Sequence, residues 1–424
     1  MKIALIVSLL SALQIHHQTV LNVFTTKNNN LISEGSFTII AAAFPIGKVF
    51  GTFFVEKICK KWSILAGIDL NGICLLFGGL ISLIPFTIFL ALGRFIIGIG
   101  VGCGFVLSSV IIYDFYPFEK RANAFFIGAI LFGSAALYSN IVVAYFSLNN
   151  YFVTSLIVNL PSLVCGLIYF LDRPAFIDIF SYPLESTSRR KMDKKKSIDE
   201  ETFSPMTITY FLIALNASIG VPIVMAFSTL IFENMGVSSF RASQYSILYP
   251  LTQLTILSAF RLPIDSSMPS RKSLILGGYG ICLVIFFSFL LSIQGIEDDK
   301  ISLNHNSGIS AALFLVLAVL MAIPCNTSFC FITERFPDRE SRVKALVKSR
   351  MLLWGLSALE SATFLPILNA TNLFIALIPY LVISVALFVF LLMLLGSMTE
   401  EEEDEYELTE SDTIQLKNYS SCND

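Results

Sequence analysis

The sequence predicts an all-α membrane protein, with twelve transmembrane helices in two pseudo-symmetric six-helix bundles. Three observations carry this. Apolar runs of about 20 residues recur along the whole chain, each long enough to cross roughly 30 Å of hydrocarbon as a helix. Basic clusters fall in every second connection between them. A long charged stretch divides the runs into two groups of six, and a motif after the fourth run returns after the tenth.

Composition excludes an ordinary soluble domain. Of 424 residues, 55% are hydrophobic and 14% charged, with a mean hydropathy of +0.75. A soluble domain carries about a quarter charged residues.

The first six spans run roughly 3–24, 37–55, 62–82, 87–113, 123–146 and 151–171. The other six run roughly 207–232, 243–263, 272–294, 309–333, 345–367 and 373–396. The first run starts almost at Met1 with no small-residue cleavage site after it, so it reads as a helix that stays. The expected organisation is a first bundle over 1–171, a linker over 172–206, a second bundle over 207–396 and an acidic tail over 397–424. The tail, with "TEEEEDEYELTESD", offers little apolar surface to bury and is expected to be disordered.

Charge sets the orientation. "EKICKK" follows span two, "FEKRA" span four, "SRRKMDKKK" span six, "SRK" span eight and "ERFPDRESRVK" span ten. All fall on one side of a twelve-span chain, and the opposite loops hold few basic residues. The positive-inside rule makes the basic side, and with it both termini, cytoplasmic. The eight cysteines lie mostly inside apolar runs and show no zinc-ligand spacing with histidine, so neither a structural disulfide nor a metal is expected. No nucleophile–base set or phosphate loop points to an enzyme, and no cofactor or nucleic-acid partner is expected.

The internal echo pairs "YDFYPFEKRANA" after span four with "TERFPDRESRVKA" after span ten. Each has an acid, an aromatic residue, a proline shortly after and an arginine further on. Two repeated bundles with a site between them is a transporter architecture.

Five stretches in order resemble the major facilitator superfamily, and within it the sugar porters, the facilitative glucose transporters above all. They are "SALQIHHQTVLNVF" in span one, "EKICKK", "LGRFIIG" in span four, "GVPIVMAFSTLIFENMGV" in span seven, and "ERFP" followed by Arg342. The resemblance implies alternating-access transport of a hexose such as glucose, in a plasma-membrane protein expected to be a monomer. Carriage of another small solute (an amino acid or nucleoside), proton-coupled sugar symport, or a non-transporting nutrient sensor are the alternatives.

The resemblance also implies residue roles. Arg94 is either an inward arginine holding the first bundle or a snorkelling one, because charge deep in lipid is costly. Asp114 and Arg121, with Lys60 and Lys61, and with Glu334 and Arg342 from the second half, correspond to an intracellular ion-pair gate. Plain positive-inside anchoring is the alternative for the lysines. Gly98, Gly100, Gly102 and Gly104 read as helix packing.

A sugar site needs amides, hydroxyls and an aromatic wall, and needs no charge. The candidates are Gln18, Thr19 and Asn22 in span one, Asn216 in span seven, Gln253 in span eight, Phe329 in span ten and Trp354 in span eleven. Several family positions are changed: Ala217, Pro222, Ala129 and Leu353 stand where the family has amides, and Phe329 where it has tryptophan. Proton-driven relatives carry an aspartate just before the span-one threonine. Here that position is Gln18, which cannot titrate and favours uniport. His16 and His17 are either satisfied polar residues or titrating groups.

One pairing comes from depth alone. Lys48 lies about eight residues before the inner end of span two and Asp69 about eight after the inner start of span three. At 1.5 Å per residue both reach a depth of about 12 Å, which predicts a buried Lys48–Asp69 ion pair.

Overall fold

The computed structural model describes residues 12–21, 34–61, 63–115, 118–145, 151–180, 205–260, 271–298, 303–325, 327–328, 336 and 339–396. Among these residues every regular element is a helix. In chain order they are α1 (12–19), α2 (Glu34–Lys61), α3 (Ile64–Ile81), α4 (Thr87–Phe115), α5 (Phe118–Tyr145), α6 (Tyr151–Leu171) and the short α7 (Arg173–Phe180). The second half has α8 (Pro205–Ser218), α9 (Val221–Asn234), α10 (Ser239–Phe260), α11 (Arg271–Asp298), α12 (Leu303–Leu320), α13 (Arg339–Ala370) and α14 (Leu373–Gly396).

Ten spans among the described residues are long and apolar enough to cross a membrane. Of the two other expected spans, the first is described only over residues 12–21. The second, α10, has the length, but Ser239, Ser243, Gln244, Ser246 and Gln253 make it more polar.

The seventh span departs from the single helix expected. It breaks into α8 and α9 at Ile219–Gly220. Gly220 has φ 96°, a left-handed conformation that costs a residue with a Cβ, and Pro222 in the first turn of α9 donates no backbone N–H. A second irregularity follows at Phe227, where φ is −132° and ψ 15°.

Helix order is set by small residues. A Cβ on Gly47 or Gly51 of α2 would overlap the backbone of Phe95 or Ile99 on α4, and one on Gly98 or Gly102 would overlap Phe44 or Lys48 on α2. The two backbones therefore touch. Gly100, on the other face of α4, meets Asn71 and Cys74 of α3 in the same way. With α4 wedged between them, α2 and α3 pack mainly on α4 and little on each other. α3 also packs on α6.

The two halves meet along two seams, α2 with α13 and α5 with α10. These are spans two with eleven and five with eight. Adding six to each span number, cyclically, exchanges the seams, as a pseudo-two-fold axis requires.

The α2–α13 seam is apolar at both ends. Where α2 begins, Phe37 meets Phe227 of α9, and Phe227 meets Phe364 of α13, at ring-centroid distances of 6.3 and 5.2 Å. Where α2 finishes, Val55 and Ile58, with Val106, Leu107 and Val110 of α4, cluster with Val343, Leu346 and Val347 of α13.

Candidate functional site

Between the two apolar ends, at the midpoint of α2, lies Lys48, with no exposed surface. Its Nζ donates to Gln18 Oε1 of α1 at 3.2 Å. It also sits 3.6 Å from the Trp354 ring centroid and 4.7 Å from that of Phe44. Gln18 completes the crossing, because its Nε2 donates to the Pro222 carbonyl and to Ser357 Oγ, each at 3.4 Å. The α1 side chain thus bonds to α9 and α13 and the α2 side chain stacks on α13, so the halves share a polar junction at mid-depth.

Arg94, only 2% exposed, points inward from α4. Its Nε donates to the Ile40 carbonyl at 3.1 Å and its Nη2 to the His17 carbonyl at 2.9 Å, tying α1 and α2 to α4. The histidines act as fasteners. His16 Nε2 donates to the Val158 carbonyl of α6 at 2.8 Å, and its Nδ1 meets Ser139 Oγ of α5 at 2.7 Å. His17 Nε2 bonds Ser162 Oγ of α6. Arg350, one turn before Trp354 on α13, is buried with its guanidinium 4.8 Å from the Phe105 ring, and Phe105 packs edge-on against Trp354.

This centre corrects two expectations. It is not uncharged, since Lys48 occupies it. Nor does Lys48 pair with Asp69. Asp69 accepts a two-pronged bond from Arg173 of α7, at 3.2 Å from Nε and 3.0 Å from Nη2. Equal depth did not make them neighbours because α4 separates α2 from α3, leaving Lys48 to face α1 and α13 while Asp69 faces the start of α7. The Asp69 carboxylate raises the Arg173 guanidinium above its ordinary value.

Among the described residues, no carboxylate stands within ion-pair distance of Lys48 or Arg94. Glu360, six residues beyond Trp354 on the same helix and so about 9 Å further along its axis, is buried with no ion pair to any described residue. Burying an ammonium without a counter-charge costs several kcal/mol. Desolvated cation–π contacts offset about 2 kcal/mol of that. The sequence gives no local sign that Lys48 reaches the centre; a lone lysine in an apolar run with no acid at helical spacing is the only hint.

Of the expected pocket residues, Gln18 and Trp354 are brought together. Thr19 is buried beside Tyr249 of α10. Asn216 is half-buried on α8. Gln253 spends its amide N–H on the Ala318 carbonyl of α12, inside the second half. Asn22 and Phe329 lie outside the described residues.

Of the expected gate, Asp114 and Arg342 line one cleft with Val110, Tyr113, Val343 and Leu346. There Arg342 donates to the Phe336 carbonyl at 2.9 Å and stacks 4.4 Å from the Tyr113 ring centroid. Lys61 is exposed at the end of α2. Glu334 and the side chains of Lys60 and Arg121 lie outside the described residues.

Apolar helices in two related groups, joined across a buried polar junction, define a multi-pass membrane transporter. A profile of the Major Facilitator Superfamily matches residues 3–358, and the chain belongs to that superfamily. Solved structures agree on the fold. A D-xylose-proton symporter aligns with TM-score 0.68 at 17% identity, covering 92% of this chain and 96% of its own. The xylose transporter XylE from E. coli, in a partially occluded inward-open conformation, aligns with 0.68 at 15% identity and the same coverage. A POT family transporter in complex with 5-aminolevulinic acid aligns equally well, 0.68 at 13% identity over 94% of this chain and 96% of its own. No curated protein sequence matches.

Proposed function

We propose that the protein carries a monosaccharide such as a hexose across the membrane by alternating access, without proton coupling. The observation that carries this reading is the Gln18 junction, where polar groups of both halves meet at mid-depth between two apolar seals. A solute bound there must break the contacts between the halves, so binding and rocking are coupled. The span-one, span-four and span-seven motifs support a sugar as cargo. Gln18, a non-titrating amide in the place of the relatives' aspartate, supports uniport.

In this reading residues 1–171 and 207–396 are the two moving bundles, 172–206 the cytoplasmic linker and 397–424 a cytoplasmic tail. The basic loops support cytoplasmic termini, and the plasma membrane is the expected site. The test is counterflow of labelled hexoses in proteoliposomes. Saturable exchange unchanged by an imposed pH gradient is expected. Hexose accumulation driven by that gradient would replace uniport with symport.

A further inference from the structure

We propose that the solute seated at this junction carries a negative charge, a carboxylate or phosphoryl group, which Lys48 receives. This rests on reading the junction as the solute site, but not on the solute being a sugar.

Two buried groups at the junction hold unfilled donors. Lys48 has three N–H bonds to give and, among the described residues, makes one hydrogen bond, to a neutral amide. The indole N–H of Trp354, 3% exposed, has no acceptor among the described residues. Both belong to the same contact, the ammonium lying on the indole face. A buried site with spare donors calls for a ligand rich in acceptors.

Charge narrows the choice. Two further cations share its ring cluster, Arg94 on Phe44 and Arg350 on Phe105, which packs on Trp354. Among the described residues none of the bonded or stacked neighbours of Lys48 is acidic. The ring faces of Trp354 and Phe44 compensate only part of the burial. The start of α9 adds the positive end of a helix beside Gln18, whose amide bonds Pro222 in its first turn. Arg94, a structural cation inside the first bundle, spends two donors on the carbonyls of Ile40 and His17, whereas Lys48 has a single acceptor there. Lys48 is held on a seam that has to open, so its counter-charge can arrive with the cargo.

A neutral hexose would leave the ammonium unmatched in both directions of travel. A carboxylate or phosphoryl oxygen would accept from Lys48 and from the Trp354 N–H, replacing the Lys48–Gln18 bond and freeing the Gln18 amide for the rest of the solute.

The test uses the full chain in proteoliposomes, with counterflow of labelled glucose, glucuronate, glucose 6-phosphate, lactate and inorganic phosphate under a clamped potassium diffusion potential. At least one anion should exchange ten-fold or more faster than glucose, and an inside-positive potential should speed its net uptake. Lys48→Gln should cut that anion's flux at least ten-fold, while Lys48→Arg keeps a measurable share. Should Lys48→Gln fail to give monodisperse protein, the wild-type selectivity and its voltage response decide. Faster exchange of glucose than of every anion overturns the proposal and leaves the sugar reading standing. Exchange of lactate or phosphate with no sugar derivative moving does the reverse. A protein that exchanges none of the five overturns both.

Discussion

The Lys48 ammonium of α2 lies flat against the Trp354 indole of α13, 3.6 Å from the ring centroid, and this contact joins the two halves at their centre. Removing the ring takes away both a buried surface and the cation's nearest π face. Trp354→Ala should lower stability by about 3 kcal/mol or more, the usual cost of truncating a buried tryptophan. Trp354→Phe keeps a face for the ammonium but loses the N–H, and should recover most of the stability while transport stays impaired. Thermal unfolding of detergent-purified protein, beside counterflow, separates the two.

Backbone contact between α2 and α4 leaves no room for a methyl group. Gly102→Ala or Gly51→Ala should push the helices apart and cut the yield of monodisperse protein sharply, because the obstacle is main chain and cannot rotate away. Gly355→Ala, in open space on α13, should be neutral or stabilise by roughly 0.5–1 kcal/mol through helix propensity. Size-exclusion profiles of the three variants test the contrast.

The Asp69–Arg173 fork should behave as an ordinary exposed ion pair. A double-mutant cycle between them should show a small coupling that shrinks with added salt, since the arginine side chain is 52% exposed. The same cycle between Lys48 and Asp69 should be additive, because α4 lies between their helices. Melting temperatures of the single and double variants at two salt concentrations supply both results.

Gly220 permits the break in the seventh span. Gly220→Ala forces a Cβ into φ 96° and should cost roughly 1–2 kcal/mol. It should also slow exchange, since the start of α9 bonds Gln18 through Pro222. Exchange rates measured at matched reconstitution levels check this.

Arg342 stacked on Tyr113 closes the cleft where α2 finishes. Arg342→Ala should loosen that end alone. A cysteine placed at Val110 should then react several-fold faster with a membrane-impermeant maleimide from the side of the basic loops, and no faster from the other side.

Much of the fold was legible because hydrocarbon imposes long apolar helices. Gly98, Gly100 and Gly102 of span four read correctly as packing, since a helix with small residues on two faces has little use for them except close approach. The centre was less legible. Gln18 and Trp354 could be singled out as costly polar groups in apolar runs, but their meeting depends on how two halves face each other, which no local pattern encodes. Lys48 shows why depth is not enough. Its depth could be counted from the helix ends, whereas its partner depended on which helix stood between α2 and α3. The break at Gly220 was equally hidden, because apolar residues continue through it and imitate one unbroken span.

The aromatic layer around Phe227 and the aliphatic one around Leu346, with a cation held between them, should also make the seam an electrical insulator. An inorganic cation advancing from either face would meet the field of Lys48, Arg94 and Arg350. A membrane holding many copies of this protein should therefore keep its sodium, potassium and proton gradients while cargo is handed across.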